Sequence, residues 1–136
     1  RAEARRLVAW CHRKFHEEVK AYLVEEKVFR RFGPHSASPD MEAMRAGHEN
    51  LRYHLAYIGH LAETRSWLAG NAMSFADLAA AAHLSTLDYL GEVPWEEHEP
   101  AKNWYALLKS RPSFRPLLQD RVAGFTPSGT YADLDF

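Results

Sequence analysis

The stretch of sequence that decides the fold is residues 68–79, which read Leu68-Ala69-Gly70-Asn71-Ala72-Met73-Ser74-Phe75-Ala76-Asp77-Leu78-Ala79. Ser74 fits the N-cap of a helix and Asp77 its N3 position, so each side chain can satisfy the other's free backbone N–H. Met73 and Leu78 occupy the two positions of a hydrophobic staple around that cap. We therefore predict a helix over 74–91. Because its residues are apolar nearly all round, this helix should form the buried centre of the fold.

Two longer helices are predicted before this segment. Residues 2–32 carry apolar residues at steps of three and four, apart from one gap: Val8, Cys11, Phe15, Val19, Tyr22 and Phe29. Four more apolar residues broaden this stripe, so the helix should touch neighbours on two sides: Leu7, Trp10, Leu23 and Val28. Gly33-Pro34 should end that helix, and residues 35–39 form a short polar loop. Asp40 can cap a second helix over 40–69, with a core stripe of Met44, Leu51, Leu55, Ile58 and Ala62. Close approach by neighbouring helices would explain why Gly47 and Gly59 lie within it.

Shorter elements follow Gly91. A fourth helix over about 100–110 should point Trp104, Leu107 and Leu108 inward. Arg111-Pro112 breaks it, and a fifth helix over 113–120 carries Phe114, Leu117 and Leu118. We thus predict an all-α five-helix bundle with two long antiparallel helices and a buried central helix. The helical core covers about residues 1–120, and an irregular tail covers 121–136.

Composition excludes several classes of protein. The chain has 136 residues, 46% of them apolar and 26% charged, as in one globular domain. Seventeen Lys and Arg against eighteen Asp and Glu leave no overall positive field for nucleic acid. No apolar run is long enough to span a membrane. The single cysteine, Cys11, excludes an internal disulfide framework and fits a reducing compartment, so we expect a cytoplasmic protein.

Residues 68–79 resemble the turn and buried helix of the C-terminal domain of glutathione S-transferases. That family has Leu-X-Gly, a short spacer, Ser or Thr, any residue, and then Ala-Asp. Trp104-Tyr105 followed by Arg111-Pro112-Ser113-Phe114 is similar to the closing helices of the same domain. The resemblance covers about residues 1–120 and implies that the fold is that domain's helical bundle.

The resemblance also implies what this chain lacks. In the family a thioredoxin-like domain precedes the helical domain, binds glutathione and supplies the group that activates its thiol. No thioredoxin-like part is present in these residues. We therefore expect no catalytic residue and no cofactor bound by this chain alone. Glutathione would be the co-substrate of an intact, homodimeric two-domain protein, in which this domain walls the pocket for the hydrophobic co-substrate.

Candidate site residues follow from these patterns. Trp10, Phe15 and Tyr22, on or near the inner face of the first helix, could line the co-substrate pocket, although each could equally be a core residue. Ser74 and Asp77 are interpreted as structural, because no Gly-x-Ser-x-Gly elbow surrounds the serine. His12 and His16 are one helical turn apart, but without an HExxH pattern we expect no metal site. Cys11 is interpreted as a buried hydrophobic residue.

The last six residues suggest a second class of function. Two aspartates, a terminal carboxylate and three large apolar side chains suit a docking segment for a basic, apolar groove, formed by Tyr131, Asp133, Leu134, Asp135 and Phe136. A strap packed on its own domain is the alternative interpretation. The terminal residues and the surroundings of Phe15 also resemble alphaproteobacterial glutathione-transferase-like proteins, one of which binds the tubulin-like division protein FtsZ. That resemblance implies a non-catalytic adaptor with the tail as part of its partner surface.

Overall fold

The computed structural model describes residues 1–32 and 38–136. Over these residues the chain forms four long helices: α1 (residues 2–32), α2 (Met41–Arg65), α3 (Phe75–Tyr89) and α4 (Glu99–Lys109). Single 3₁₀ turns span Trp95–Glu97 and Arg115–Gln119, and no strand forms within the described ranges. The predicted all-α fold is confirmed. The predicted fifth helix is a short 3₁₀ turn, because so few residues cannot offset the cost of starting an α-helix.

Helix α1 buries a stripe of residues spaced by exactly four positions. Its buried members are Leu7, Cys11, Phe15, Val19 and Leu23. On a regular α-helix of 3.6 residues per turn, each step of four drifts by about 40° around the axis. Wider, π-helical turns over Cys11–Lys20 and Glu25–Phe29 remove much of that drift. The stripe therefore stays on one face of α1.

Because these turns are wider, the buried face of α1 differs from the predicted one. Val8 is only half-buried, Tyr22 is 39% exposed and Phe29 is 60% exposed. Leu23 takes the place predicted for Tyr22. The predicted end of α1 at Gly33-Pro34, and most of the loop after it, lie outside the described residues.

Helix α2 begins as predicted and ends four residues early. The Asp40 side chain accepts the backbone N–H groups of Glu42 and Ala43. Ser66, at φ +79°, turns the chain out of the helix after Arg65. The predicted core residues are buried, with Ala62 half-buried beside them: Met44, Leu51, Leu55 and Ile58.

The two glycines of α2 lie where other helices approach closely. A Cβ on Gly47 would lie 2.8 Å from Leu23 Cδ2, and one on Gly59 would lie 3.1 Å from Pro100 Cβ. Helix α2 thereby packs closely on α1 and α4, and α3 packs on the same two helices from within the bundle. The close approach inferred from the sequence is confirmed.

Helix α4 buries Ala101, Trp104, Tyr105 and Leu108. Leu107, predicted to point inward, is 56% exposed because it lies on the opposite face of the helix. Gly91, at φ +73°, ends the turn after α3 as predicted.

Candidate functional site

The cap of α3 is a hub that joins three elements. Asp77 is fully buried, and its Oδ1 accepts the backbone N–H of Leu68 at 3.0 Å and the indole N–H of Trp104 at 2.8 Å. Its Oδ2 accepts the backbone N–H of Ser74 at 2.9 Å, and Ser74 Oγ accepts the N–H of Ala76 at 3.2 Å. The pair forms a reciprocal capping box. The hydrogen bonds of these two side chains lie within the cap or join it to Leu68 and Trp104.

Beside this cap lies a large apolar depression, which we call the α1–α3 groove. It has a volume of about 940 Å³ and is lined mainly by Val8, Ala9, Met73, Phe75 and Leu78, with Arg1, Arg5 and His12 at its edge. Met73 and Leu78, the predicted staple, are half-buried against the core on its floor. Phe75 is 79% exposed. An aromatic ring left in water beside other apolar groups marks a surface suited to a partner.

Next to the groove, α1 and α3 form a hydrogen-bonded chain that we call the basic cluster. Lys20 Nζ lies 3.1 Å from His83 Nδ1, and His83 Nε2 lies 2.9 Å from His12 Nδ1. The ring of Phe15 packs below His83, with ring centroids 5.8 Å apart. His16 is one turn from both His12 and Lys20 on α1. The basic cluster therefore brings together four side chains with basic nitrogens where α1 meets α3: Lys20, His83, His12 and His16.

Burial governs the charges of this cluster. Partial burial, followed by the nearby charges of Lys20, His12 and His16, lowers the pKa of His83 to about 4. Burial also lowers the pKa of Lys20. His83 is thus neutral at pH 7. Lys20 is half-buried, and its ammonium donates to the imidazole of His83.

The opposite side of α1 faces α2 across a second depression of about 680 Å³, the α1–α2 groove. Its floor contains His54, whose Nε2 lies 2.8 Å from Glu18 Oε1 and whose ring lies 4.6 Å from that of Trp10. Burial lowers the pKa of His54 although Glu18 opposes this effect. Tyr53, at 83% exposed, stands on its rim.

Of the three residues predicted to wall a co-substrate pocket, Trp10 and Phe15 pack on the same His54 ring, with centroid distances of 4.6 Å and 5.1 Å. Trp10 lies in the α1–α2 groove, and Phe15 is a core residue packed between the rings of His54 and His83. Tyr22 is exposed, with its Cβ against Gly47. The sequence analysis did not identify Phe75 and His83. For Phe75, a signal was present: it is a large apolar residue just after the N-cap, where a helix normally meets solvent.

The tail packs on its own domain. Lys109 is fully buried, and its Nζ donates to the carbonyl groups of Thr130 at 2.5 Å and Asp133 at 2.7 Å. Its ammonium also lies 4.0 Å from the centroid of the Phe136 ring. Tyr131 is buried, and its hydroxyl donates to the carbonyl of Leu117 at 2.7 Å. The tail therefore adopts the alternative conformation, a strap packed on its own domain.

Only part of the predicted docking segment remains accessible in this arrangement. Asp133 and Asp135 are exposed, whereas Leu134 and Phe136 are half-buried against the core and Tyr131 lies within it. Any partner would meet the two carboxylates first.

Other candidate chemistry is limited. Burial raises the pKa of the Cys11 thiol to about 12, so it behaves as the predicted buried hydrophobic residue. Within residues 1–32 and 38–136, no three His, Cys, Asp or Glu side chains converge as metal ligands. In that same part of the chain, none of the helices has the length and apolar composition to cross a membrane.

A family model and a relative compared by sequence both match this chain. The family model described as the glutathione S-transferase C-terminal domain matches residues 21–112. FtsZ-localized protein A of Caulobacter vibrioides is 55% identical over all 136 residues, which correspond to 59% of that protein.

Two solved structures are similar over the whole chain. The crystal structure of a glutathione S-transferase from Rhodospirillum rubrum matches with a TM-score of 0.93 at 54% identity, and FzlA from C. crescentus with 0.96 at 55%. The chain covers 60% of each of these. It therefore spans about three fifths of the length of the relatives that it matches.

Proposed function

Because the chain belongs to the family of glutathione S-transferase C-terminal domains, we propose that it is the helical part of a two-domain protein of that kind. In this proposal the α1–α3 groove receives a thioredoxin-like domain, and the two together enclose the pocket for a hydrophobic co-substrate. Glutathione is the co-substrate of the intact protein. The chain alone carries out no conjugation.

The observation that carries this proposal is the apolar α1–α3 groove with its exposed Phe75. A groove of about 940 Å³ next to the cap of the central helix leaves apolar side chains in contact with water. Water-exposed apolar patches of this kind are covered in stable assemblies. A further two fifths of the relatives' length is available to cover it.

Matched substitutions test the groove. We compare Phe75→Gln with Leu107→Gln, a control on α4, well away from the groove, that is 56% exposed. In the 136-residue chain both should change the free energy of unfolding by less than about 0.5 kcal/mol, as exposed substitutions do. In a polypeptide of the relatives' length, only Phe75→Gln should lower the thermal midpoint and the rate of glutathione conjugation to an aryl chloride. Equal effects of both variants there would refute the proposal.

A second candidate function is an adaptor that binds FtsZ. The observation that favours it is the 55% identity with FtsZ-localized protein A, which extends through the tail to residue 136. The adaptor would present Asp133 and Asp135, the exposed carboxylates of the strap. A reducing cytoplasm fits this candidate and the enzyme equally.

Charge reversal tests the adaptor better than deletion of the tail, because Lys109 and Tyr131 make the tail part of the core. The double variant Asp133→Lys and Asp135→Lys should reduce co-sedimentation with FtsZ filaments. Glu49→Lys combined with Glu63→Lys, two exposed positions on α2, provides the charge-matched control. If both pairs co-sediment equally well with FtsZ, the tail is not the docking segment.

Homodimerisation is proposed through the α1–α2 groove, where Tyr53 and half-buried Trp10 are available to a second copy. In a polypeptide as long as the matched relatives, Tyr53→Gln should then shift the sedimentation coefficient toward that of the monomer. A dimer unaffected by Tyr53→Gln would place the interface elsewhere.

A further inference from the structure

The hydrogen bonds of the basic cluster all run in one direction, from donor to acceptor. An ammonium group has donors only, so Lys20 donates to His83 Nδ1. His83 must then carry its proton on Nε2 and donate it to His12 Nδ1 at 2.9 Å. His12 consequently carries its own proton on Nε2. The chain of hydrogen bonds runs from the ammonium of half-buried Lys20 to an N–H of exposed His12.

The positive charge of this chain has no counterion in the described part of the protein. The hydrogen-bond partner of Lys20 is neutral His83, and burial alone changes its pKa, with no contribution from a carboxylate. The groups that face the cluster from α1 are His12 and His16, and the group from α3 is His83. Of the nearby acids, Glu18 bonds His54 and Asp77 caps α3, whereas exposed Glu17, one turn before Lys20 on α1, forms no ion pair with it within the described residues.

Lys20 is half-buried, and a charge that loses part of its hydration is stabilised by an anionic partner. Apolar surface flanks the cluster on both sides, with the α1–α3 groove at one end. At the other end is a depression of about 260 Å³ lined in part by Val24, Val28 and Thr86. A carboxylate bound at the His12 N–H would lie beside this apolar surface, at the end of a hydrogen-bond chain that the Lys20 ammonium polarises.

We propose that Lys20, His83 and His12 form a binding site for a carboxylate group, with the N–H of His12 as its outer donor. The carboxylate comes either from a small organic acid or from an acidic side chain of the polypeptide that covers the α1–α3 groove. The site goes beyond the proposed function, because neither conjugation nor docking of a domain requires it.

Acetate is the probe. Long-range ¹H–¹⁵N spectra of the 136-residue chain, recorded at neutral pH and constant ionic strength with chloride as the balancing ion, should show both imidazoles as Nε2–H tautomers. Acetate should shift the nitrogens of His12 and His83 along a saturable curve. Lys20→Met should weaken this binding at least tenfold, and Lys20→Arg should retain most of it. Lys14→Met is the control, since Lys14 lines the α1–α2 groove on the other side of α1.

The same titration of a relatives-length polypeptide identifies the source of the carboxylate. If His12 is already shifted there and acetate has no further effect, an acidic side chain occupies the site. If acetate still titrates, the ligand is a small acid. Either result supports the site. It is overturned if acetate causes no saturable shift in the 136-residue chain, or if Lys20→Met and Lys14→Met titrate alike. Failure of the Phe75→Gln test would leave this result intact, so the two proposals fail separately.

Discussion

Asp77→Ala should destabilise this domain far more than loss of a helix cap does. Loss of an N-cap side chain costs about 1 kcal/mol. Asp77 has a second role, because its Oδ1 accepts from Leu68 and Trp104, two donors that are themselves buried. Removing the carboxylate leaves both donors without a partner.

The expected magnitude follows from these contacts. A buried donor left unsatisfied costs about 1–3 kcal/mol. Two such donors together with the lost cap give a decrease of at least about 3 kcal/mol in the free energy of unfolding. For a domain of this size, each kcal/mol lowers the thermal midpoint by about 3–5 °C. Asp77→Ala should therefore lower it by about 10 °C or more.

The assay is urea denaturation followed by circular dichroism, with three comparison variants. Ser74→Ala removes the acceptor for the Ala76 N–H and a long hydrogen bond to Asp77 Oδ2, and should cost about 1 kcal/mol. Asp77→Asn keeps one carbonyl oxygen and should fall between the two. Asp135→Ala, an exposed carboxylate, should stay within about 0.5 kcal/mol of the unmodified chain. If Asp77→Ala lowers the free energy of unfolding no more than Ser74→Ala does, the Asp77 carboxylate acts only as a helix cap. Its role in joining Leu68 and Trp104 to that cap is then refuted.

Three further predictions concern other buried groups. Since the pKa of His83 falls from 6.5 to about 4 on folding, the unfolded chain takes up the proton first as the pH drops. Stability should then decline by about 1–2 kcal/mol between pH 6.5 and 4, after allowance for solvent screening. His83→Gln should flatten that decline in urea titrations at several pH values, and an unchanged profile would contradict the assignment. Lys109→Met should free the strap, detected as faster amide hydrogen exchange at Tyr131, while continued protection would show that the aromatic contacts suffice. Gly59→Ala should destabilise by about 1 kcal/mol, because overpacking against Pro100 exceeds the gain in helix propensity; a stabilised variant would show that α4 can move aside.

Short-range signals account for the parts of the fold that could be predicted. The cap and staple of α3 involve positions within five residues of one another, so their spacing in the sequence determines their geometry. Asp40 and Gly91 are equally local, as an N-cap and a left-handed stop. Helix α2 kept its predicted core because its apolar spacing matches a regular α-helix over 25 residues.

The basic cluster could not be predicted in the same way. His12 and His83 are separated by 71 positions, and Lys20 and His83 by 63. Whether they meet depends on the rotation of α1 about its axis and its translation along α3, and no local pattern encodes either. The strap poses the same difficulty, because the carbonyl groups that hold Lys109 belong to a segment without regular structure.

The sequence itself explains why the buried face of α1 was predicted incorrectly at Tyr22. Apolar residues recur in two overlapping series, one at mixed steps of three and four and one at strict steps of four from Leu7 to Leu23. A regular helix favours the first series, which would place Tyr22 inside. The protein uses the second, because wider turns keep residues four apart on one face. Histidines and Lys20 one position further along then form a parallel stripe facing α3, which places the basic cluster at the seam. The same change in helical pitch that exposes Tyr22 therefore assembles the proposed carboxylate site.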